Sequence, residues 1–414
     1  MTISVFTPIH KPDFQFLEEL FRSLEAQTRQ PDEWIIMCNG AMIDETIPFE
    51  KAVPWVRVFH SPDTGNIGAL KGYCCQIASG DILVEVDYDD TLTPDALERI
   101  ESVFQNHQVQ FVYSNCAEMR ADHTYNTYSA EYGWKSRPFQ DVEQIVAFPT
   151  QAHYMRRVEW APNHVRAFRK SAYDAIGGYN RTIQVGDDHD LICRFYIAYG
   201  EKGFFHIDDC LYIYRLHAGN TCNGQNRNGE IQRQVDANYV RHAEQMYLRW
   251  AIDNRLGCVD LGGRLNSPDR YVSVDLQDAD IIADLNTVWP FEDGSIGVIR
   301  AYHVLEHLDD PIHFFNEAYR VLAPGGFLLI EVPSANGAGA FGDPTHKKFF
   351  NLLTFEYFTN QQYARFIQPQ YTGRFQKARV VEYWWQNPKI PVISAQLIAI
   401  KGWYDERWCG EKNI

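Results

Sequence analysis

The sequence predicts two successive α/β domains, each built on a mostly parallel sheet. Three observations carry that expectation. Apolar strand-like runs alternate with amphipathic helical stretches from the N-terminus to about Gln110, the pattern of strand–helix–strand units. A second run of the same kind opens at Gly257. The length, 414 residues, exceeds what one ordinary core accommodates.

The elements follow in order. Ile3–Pro8 reads as a strand, and Phe14–Gln27 as a helix with Phe16, Leu17, Leu20, Phe21 and Leu24 on one face. Trp34–Cys38 and Val56–Phe59 read as strands, Ile67–Ser79 as a helix closed by Gly80, and Ile82–Val86 as the next strand. Beyond Gln110 the alternation weakens. Tyr113–Glu118 predicts a strand, and polar, aromatic-rich loops run on to about Asn163. Thr221–Gly229 has the composition of a linker. Ile231–Trp250 predicts a helix bridging the domains, with Val235, Tyr239, Ala243, Met246 or Tyr247, and Trp250 at helical spacing. The expected organisation is a first domain over 1–222, a linker and bridging helix over 223–254, and a second domain over 255–414.

Composition narrows the function. A net charge of −16 argues against generic binding to nucleic acid or anionic membranes, both of which need a basic face. The nine cysteines are scattered, odd in number and form no CxxC pair, which predicts reduced thiols and a cytoplasmic protein. The chain enters a strand at once, with no basic-then-apolar signal segment expected. The apolar run Ile390–Ile400 is too short to span a bilayer, so no transmembrane segment is expected. The residues specify no oligomeric state.

The chemistry concentrates first in Val84–Pro94, where an apolar strand runs into Asp87, Asp89 and Asp90. In a continuing strand Asp87 and Asp89 would project the same way and repel each other unless a cation lay between them. Carboxylate oxygens suit Mg²⁺ or Mn²⁺ shared with a substrate diphosphate. The competing reading is an acidic turn with Asp90 or Thr91 as a helix N-cap.

Several further segments fall into one ordered pattern. They are Ser4–His10, Ser23–Thr28, Asn66–Gly72, Asp87–Asp90, Gly177–Asn180, Gly186–Leu191 with Arg194, and Tyr214–His217. Together, over roughly residues 1–222, they resemble family 2 glycosyltransferases of the GT-A fold. The resemblance implies a metal-dependent, inverting transfer of sugar from a nucleoside-diphosphate donor to an acceptor hydroxyl. It implies metal ligation by Asp89, with Asp87 at the ribose or the same ion, and by His217. Asp188 would be the general base. Thr7, Pro8, His10, Asn39, Asn66, Lys71 and Asp87 would contact the donor. Asn39 stands where the family carries acids, and its amide both donates and accepts. Asp187 and Asp188 would otherwise serve as N-caps, and His217 as a backbone-satisfied histidine. Arg156–His164 corresponds to the family's acceptor side. Tyr125, Tyr128, Tyr132 and Trp134 would stack on sugar rings or simply pack their loop. Glycan or lipopolysaccharide-type acceptors are favoured, and the acidic chain gives a nucleic-acid acceptor little support.

The second half carries Val259–Gly263, Val274-Asp275, Ala283–Leu285, Trp289–Phe291, His303–Leu308, Arg320–Gly326 and Asp343–Phe349. These resemble class I S-adenosylmethionine-dependent methyltransferases and imply a Rossmann-like fold. The resemblance makes Asp260, Gly262, Gly263, Asp275, Asp284 and His303 candidate S-adenosylmethionine contacts. Only Arg264–Tyr271 separates the glycine motif from the second acidic strand, too little for the usual helix. A scaffold that has lost methyl transfer is the leading expectation, ahead of a bifunctional enzyme and of a non-catalytic binding module. His303, Glu306 and His307 would share one face of a helix and so form a metal cluster, but the resemblance makes them structural or substrate-side residues.

Overall fold

The computed structural model describes residues 1–40, 53–62, 65–128, 130, 133–155, 164–220, 227–384 and 390–402. The chain divides into two compact units, Met1–Met246 and Tyr247–Ile414.

The first unit runs β1 (Ile3–Ile9), α1 (Phe14–Glu25), β2 (Glu33–Asn39), β3 (Val56–Ser61), α2 (Ile67–Ile77), β4 (Ile82–Glu85), β5 (Thr91–Leu92), α3 (Ala96–Phe104), β6 (Phe111–Met119), β7 (Ser136–Phe139), β8 (Val142–Ile145), β9 (Arg166–Arg169), α4 (Lys170–Ala175), α5 (Asp187–Tyr199) and β10 (Phe204–Arg215), then enters α6 (Asn228–Asp253). Its sheet is ordered β3-β2-β1-β4-β9-β6-β10-β5, with β8 and β7 added beside β6. The first four strands are parallel, as the alternation predicts. The sheet is mixed thereafter, because β9 lies antiparallel between β4 and β6. Strands β1, β2 and β4 are almost wholly buried, which explains their continuous apolar runs. Leu17, Leu20 and Leu24 of α1 close one face of that core.

Strand β4 ends at Glu85, one residue earlier than the apolar run suggests. Asp87–Asp90 form a turn closed by a bond from Asp90 N–H to the Asp87 carbonyl, 3.2 Å. The pleat argument for Asp87 and Asp89 therefore does not apply. The turn, and not strand alternation, sets their directions.

The second unit takes the last turns of α6, then β11 (Gly257–Leu261), β12 (Val272–Asp275), β13 (Ile281–Ile282), β14 (Ile296–Tyr302), α7 (Pro311–Val321), β15 (Leu322–Pro333), α8 (Gly339–Gly342), α9 (Leu352–Thr359), α10 (Gln361–Ala364), β16 (Phe375–Trp384) and β17 (Pro391–Ala399). The order β13-β12-β11-β14-β15-β17-β16 is parallel through β15, and β17 inserts antiparallel between β15 and β16. Between β11 and β12 there is one short 3₁₀ turn, Arg264–Asn266, in place of a full helix.

The split between the units falls inside the segment read as linker and bridging helix. In the first unit α6 is tied to α5 by Asn238 and His242. In the second, Tyr247 stacks on Phe327 with ring centroids 3.8 Å apart. The linker residues 221–226, residues 156–163 of the acceptor-side stretch and Tyr132 lie outside the described residues. Among the described residues no helix is long and apolar enough to cross a membrane.

Candidate functional site

In the first unit the acidic turn after β4 meets the end of β10 at the carboxyl edge of the parallel strands, the place where open α/β sheets bind ligands. Asp89 Oδ2 lies 2.7 Å from His217 Nε2. Arg215 fixes the turn from the same strand end, donating Nε–H to the Asp89 carbonyl at 2.9 Å. Asp90 is buried and is not a helix cap. It accepts from Tyr212 Oη at 2.8 Å and from Arg215 N–H at 2.7 Å. Burial, then the neighbouring Asp89 and Asp87, push its carboxyl well above the ordinary range. Asp90 thus braces the turn while Asp89 faces the histidine.

Asp87 turns elsewhere. Among the described residues it brings no donor atom within 4.8 Å of both Asp89 and His217, so the three do not form one closed ligand set. Its field partners are Lys71, Glu85 and Asp89. Burial, with Glu85 and Asp89 alongside, raises its carboxyl to about 7 against the attraction of Lys71.

Behind it lies a buried charge network. Lys71 Nζ sits 2.8 Å from Glu85 and 3.1 Å from Asp187. Arg166 on β9 bridges Glu85 at 2.6 Å and Asp188 at 2.8 Å. Tyr179 Oη donates to the other Glu85 oxygen. Lys71 is thus engaged inside the protein by Glu85 and Asp187. Burial lifts the Asp187 carboxyl to about 6. Asp188 feels burial too, but Arg166 and then Lys71 outweigh it and hold the carboxyl below the ordinary range. Neither residue caps α5, since the N-cap is Gly186 in the left-handed region. Both lie in the first helical turn, where the helix dipole favours negative charge. Asp188 keeps one oxygen on its neighbour's N–H, 2.8 Å, and the other on Arg166. Asp190 binds Arg194 at 2.8 Å and His242 at 2.9 Å, anchoring α5.

The other expected donor contacts divide. Thr7 is buried, with its hydroxyl accepting from the Trp34 indole at 2.9 Å, and Pro8 is buried beside it. His10 is exposed at the end of β1. Asn39 ends β2 and is half-buried. Asn66 caps α2 by accepting from Ala69 N–H at 3.0 Å. Sequence reasoning gave Glu85, Arg166 and Tyr179 no role. Glu85 and Arg166 had a signal, a charge inside an apolar strand run. Tyr128 and Trp134 pack on each other with centroids 5.0 Å apart, and Trp134 continues onto Phe148. Tyr125 bridges to Met119.

The second unit brings Gly262, Asp275 and His303 to the ends of three adjacent strands. Their polar groups are largely engaged. Asp260 is buried and holds Arg300 at 2.9 Å and Ser267 at 2.8 Å. The Gly262 N–H donates to the Val274 carbonyl at 2.7 Å. Gly262 is left-handed, and a Cβ there would meet Val304 at 2.4 Å. Gly263 packs on Asp260 so closely that a Cβ would lie 2.1 Å from its carboxylate. Asp275 accepts from Leu276 N–H at 2.6 Å and lies 3.5 Å from Arg264. Asp284 closes its own turn on Asn286 at 2.9 Å. His303 lies 3.4 Å from Glu306, but Leu305–His307 is a 3₁₀ turn and not the α-helix that would have aligned His303, Glu306 and His307 on one face.

Residues 4–177 match the family model for Glycosyl transferase family 2, and residues 258–330 the model for a Methyltransferase domain. An uncharacterized glycosyltransferase of Haemophilus influenzae is 27% identical, over 43% of this chain and 64% of its own length. The chondroitin synthase of Escherichia coli is 25% identical over 51% of this chain and 29% of its own. A probable S-adenosylmethionine-dependent methyltransferase of Mycolicibacterium smegmatis is 38% identical over 16% of this chain and 23% of its own. The chain thus spans less than two thirds of the length of these relatives. The solved structure of S. aureus TarS 1–349 in complex with UDP-GlcNAc aligns with 61% of this chain and 71% of its own, at 13% identity and a TM-score of 0.45. The chain joins a family 2 glycosyltransferase domain to a methyltransferase-like domain.

Proposed function

We propose that the chain transfers a sugar from a nucleoside-diphosphate donor to a hydroxyl of a glycan-type acceptor, with inversion at the anomeric carbon and with Mn²⁺ or Mg²⁺ as cofactor. The observation that carries this reading is the Asp89–His217 pair, 2.7 Å apart at the carboxyl edge of the sheet, above the network that holds Asp188 ionised. One imidazole and one carboxylate, with further carboxylates behind them, fit a divalent ion that leaves positions for a diphosphate. Such an ion supplies the positive charge that the leaving diphosphate needs.

The chain's own residues divide the remaining work. Asp188 takes the acceptor proton, and Arg166 keeps it ionised until then. Lys71 positions Glu85 and Asp187 from behind the site. Asn39 and His10 sit on the donor side, and the Asn39 amide selects the base by donating and accepting together. The exposed face of Tyr128 offers a sugar-stacking surface on the acceptor side. A glycan acceptor fits the likeness to a chondroitin synthase. We assign transfer to residues 1–222, the connection to 223–254 and the methyltransferase-like domain to 255–414. A cytoplasmic setting is consistent with the free thiols of all seven described cysteines.

For the second domain we propose a scaffold role without methyl transfer. The Asp260 carboxylate and Gly262 N–H are engaged internally, and no full helix follows β11. These residues do not fit the open cradle that S-adenosylmethionine requires.

Calorimetric titration with UDP, GDP, CDP and TDP, with and without Mn²⁺, tests the first reading. Metal-dependent binding of one nucleotide supports it, and silence from all four overturns it. Asp188→Asn should keep donor affinity and lower turnover by about 10²–10⁴-fold. Wild-type turnover in that variant would remove Asp188 as the base.

A further inference from the structure

We infer that Glu306, His307 and His346 of the second unit form a binding site for a divalent first-row transition ion such as zinc. One donor atom from each of the three lies within 4.8 Å of the other two. In a filled site of this kind, donors at about 2.1 Å from the ion stand roughly 3–4 Å apart. The side chains need close by only about one ångström.

Two independent features point to a ligand. Glu306 is 2% exposed, and neither of its carboxylate oxygens has a hydrogen-bond partner. Its one ion-pair partner, His303 Nδ1, stands 3.4 Å from one oxygen and is held above its ordinary range by Glu306, which leaves the second oxygen unmet. A buried carboxylate with one oxygen unmet is costly unless a further cation meets it. Second, both imidazoles are oriented through Nδ1. His346 Nδ1 lies 2.8 Å from the Ala340 carbonyl, which can only accept. His307 Nδ1 lies 3.0 Å from Thr345 Oγ1, whose own hydrogen goes to Asp343 at 2.7 Å. Each bond places the proton on Nδ1 and leaves Nε2 with its lone pair. Outer partners that fix the tautomer in this way are the usual companions of metal-bound histidines.

The donor set separates this site from the one in the first unit. Two imidazoles and one carboxylate select zinc or iron over magnesium, and leave coordination positions open. Lys347, the adjacent cation, is held 2.8 Å from Asp309 and does not supply the missing charge. The segment Asp343–Phe349 provides His346, Thr345 and Asp343 together.

The test uses the full chain titrated with Co²⁺ in excess Mg²⁺, read by visible ligand-field absorption. We expect one Co²⁺ per chain, unaffected by Asp89→Ala. His307→Gln and His346→Gln should each weaken binding by at least the ~10-fold that loss of an outer partner alone produces. Thr345→Val, at an exposed position, should weaken it by about 10-fold without disturbing the core. Absence of visible bands in the wild-type chain overturns the proposal. So do unchanged affinities in all three site variants, or a signal lost in Asp89→Ala and retained in His346→Gln.

Discussion

In the proposed metal-dependent reading, Asp87 would couple protonation to metal at the first site. Burial and its carboxylate neighbours raise it from 3.8 to about 7. A raised carboxyl favours the protonated native state, so its stabilising contribution is complete below about pH 3.8 and is lost as pH rises through about 7. Above that, ionised Asp87 presses against Glu85 and Asp89, and a cation held by Asp89 and His217 would relieve the repulsion. Mn²⁺ should therefore raise the melting temperature more at about pH 8 than at about pH 5.5. Without metal, Asp87→Asn should stabilise at the higher pH by on the order of 1 kcal/mol, about 2–4 °C for a domain of this size. Scanning fluorimetry at both pH values checks this, and an equal Mn²⁺ effect at the two would remove the coupling. The proposed metal pair, Asp89 and His217, responds differently. Asp89→Ala or His217→Ala should weaken Mn²⁺-dependent nucleotide binding, and unchanged affinity in both would eliminate the metal site. The motif residues that end strands or open helices were legible in the sequence, because an acid at such a boundary has a small set of uses. The Lys71–Glu85–Arg166–Asp188 network was not, because it joins residues from α2, β4, β9 and α5 that only the sheet order brings together. The same reason hid His346, some forty positions beyond His307 in the chain.

At the scale of elements, α2 carries the site by lying close to its neighbours. A Cβ at Gly68 would lie 2.7 Å from the Asn180 carbonyl, 3.1 Å from that of Ile183 and 3.2 Å from Asp187 Cβ. Two of those atoms are backbone and cannot rotate aside, so α2 or the 180–183 segment that leads into α5 must shift. Gly68→Ala should cost about 1–3 kcal/mol. It should also lower turnover more than donor affinity, because Asp187 and Asp188 move with α5. Gly72, one turn on in the same helix, faces only the Arg181 side chain, at 3.0 Å. Gly72→Ala should be neutral, or stabilising by up to about 1 kcal/mol through helix propensity. Denaturant unfolding of the pair separates close packing from a general dislike of alanine in α2, and equal destabilisation would refute the packing argument. The alternating elements were readable here because buried parallel strands show as continuous apolar runs. The antiparallel insertion of β9 was not, since four residues, Arg166–Arg169, carry no periodicity that fixes their direction. The directions of Asp87 and Asp89 in the acidic turn were not readable for a related reason. Alternation of acids with other residues looks the same whether the backbone continues or closes on itself.

At the scale of the whole molecule, the two units pose different chemical questions, and the second decides between a scaffold and a second enzyme. Its strand order and its parallel first five strands support a ligand edge formed by Gly262, Asp275 and His303. What a nucleoside-bearing cofactor needs at such an edge is a carboxylate open to ribose hydroxyls and backbone N–H groups open to its charged end. Asp275 has one oxygen on Leu276 N–H and Arg264 beside the other, and the Gly262 N–H faces Val274. The helix whose N-terminus would normally complete the cradle is reduced to Arg264–Asn266. Calorimetric titration with S-adenosylmethionine should therefore give no saturable heat, and Asp275→Ala should leave both that result and the sugar-transfer rate unchanged. Saturable binding that disappears in Asp275→Ala would reverse the conclusion. It would mean that Arg264 swings off Asp275 to admit the ribose, and the bifunctional reading would then replace the scaffold.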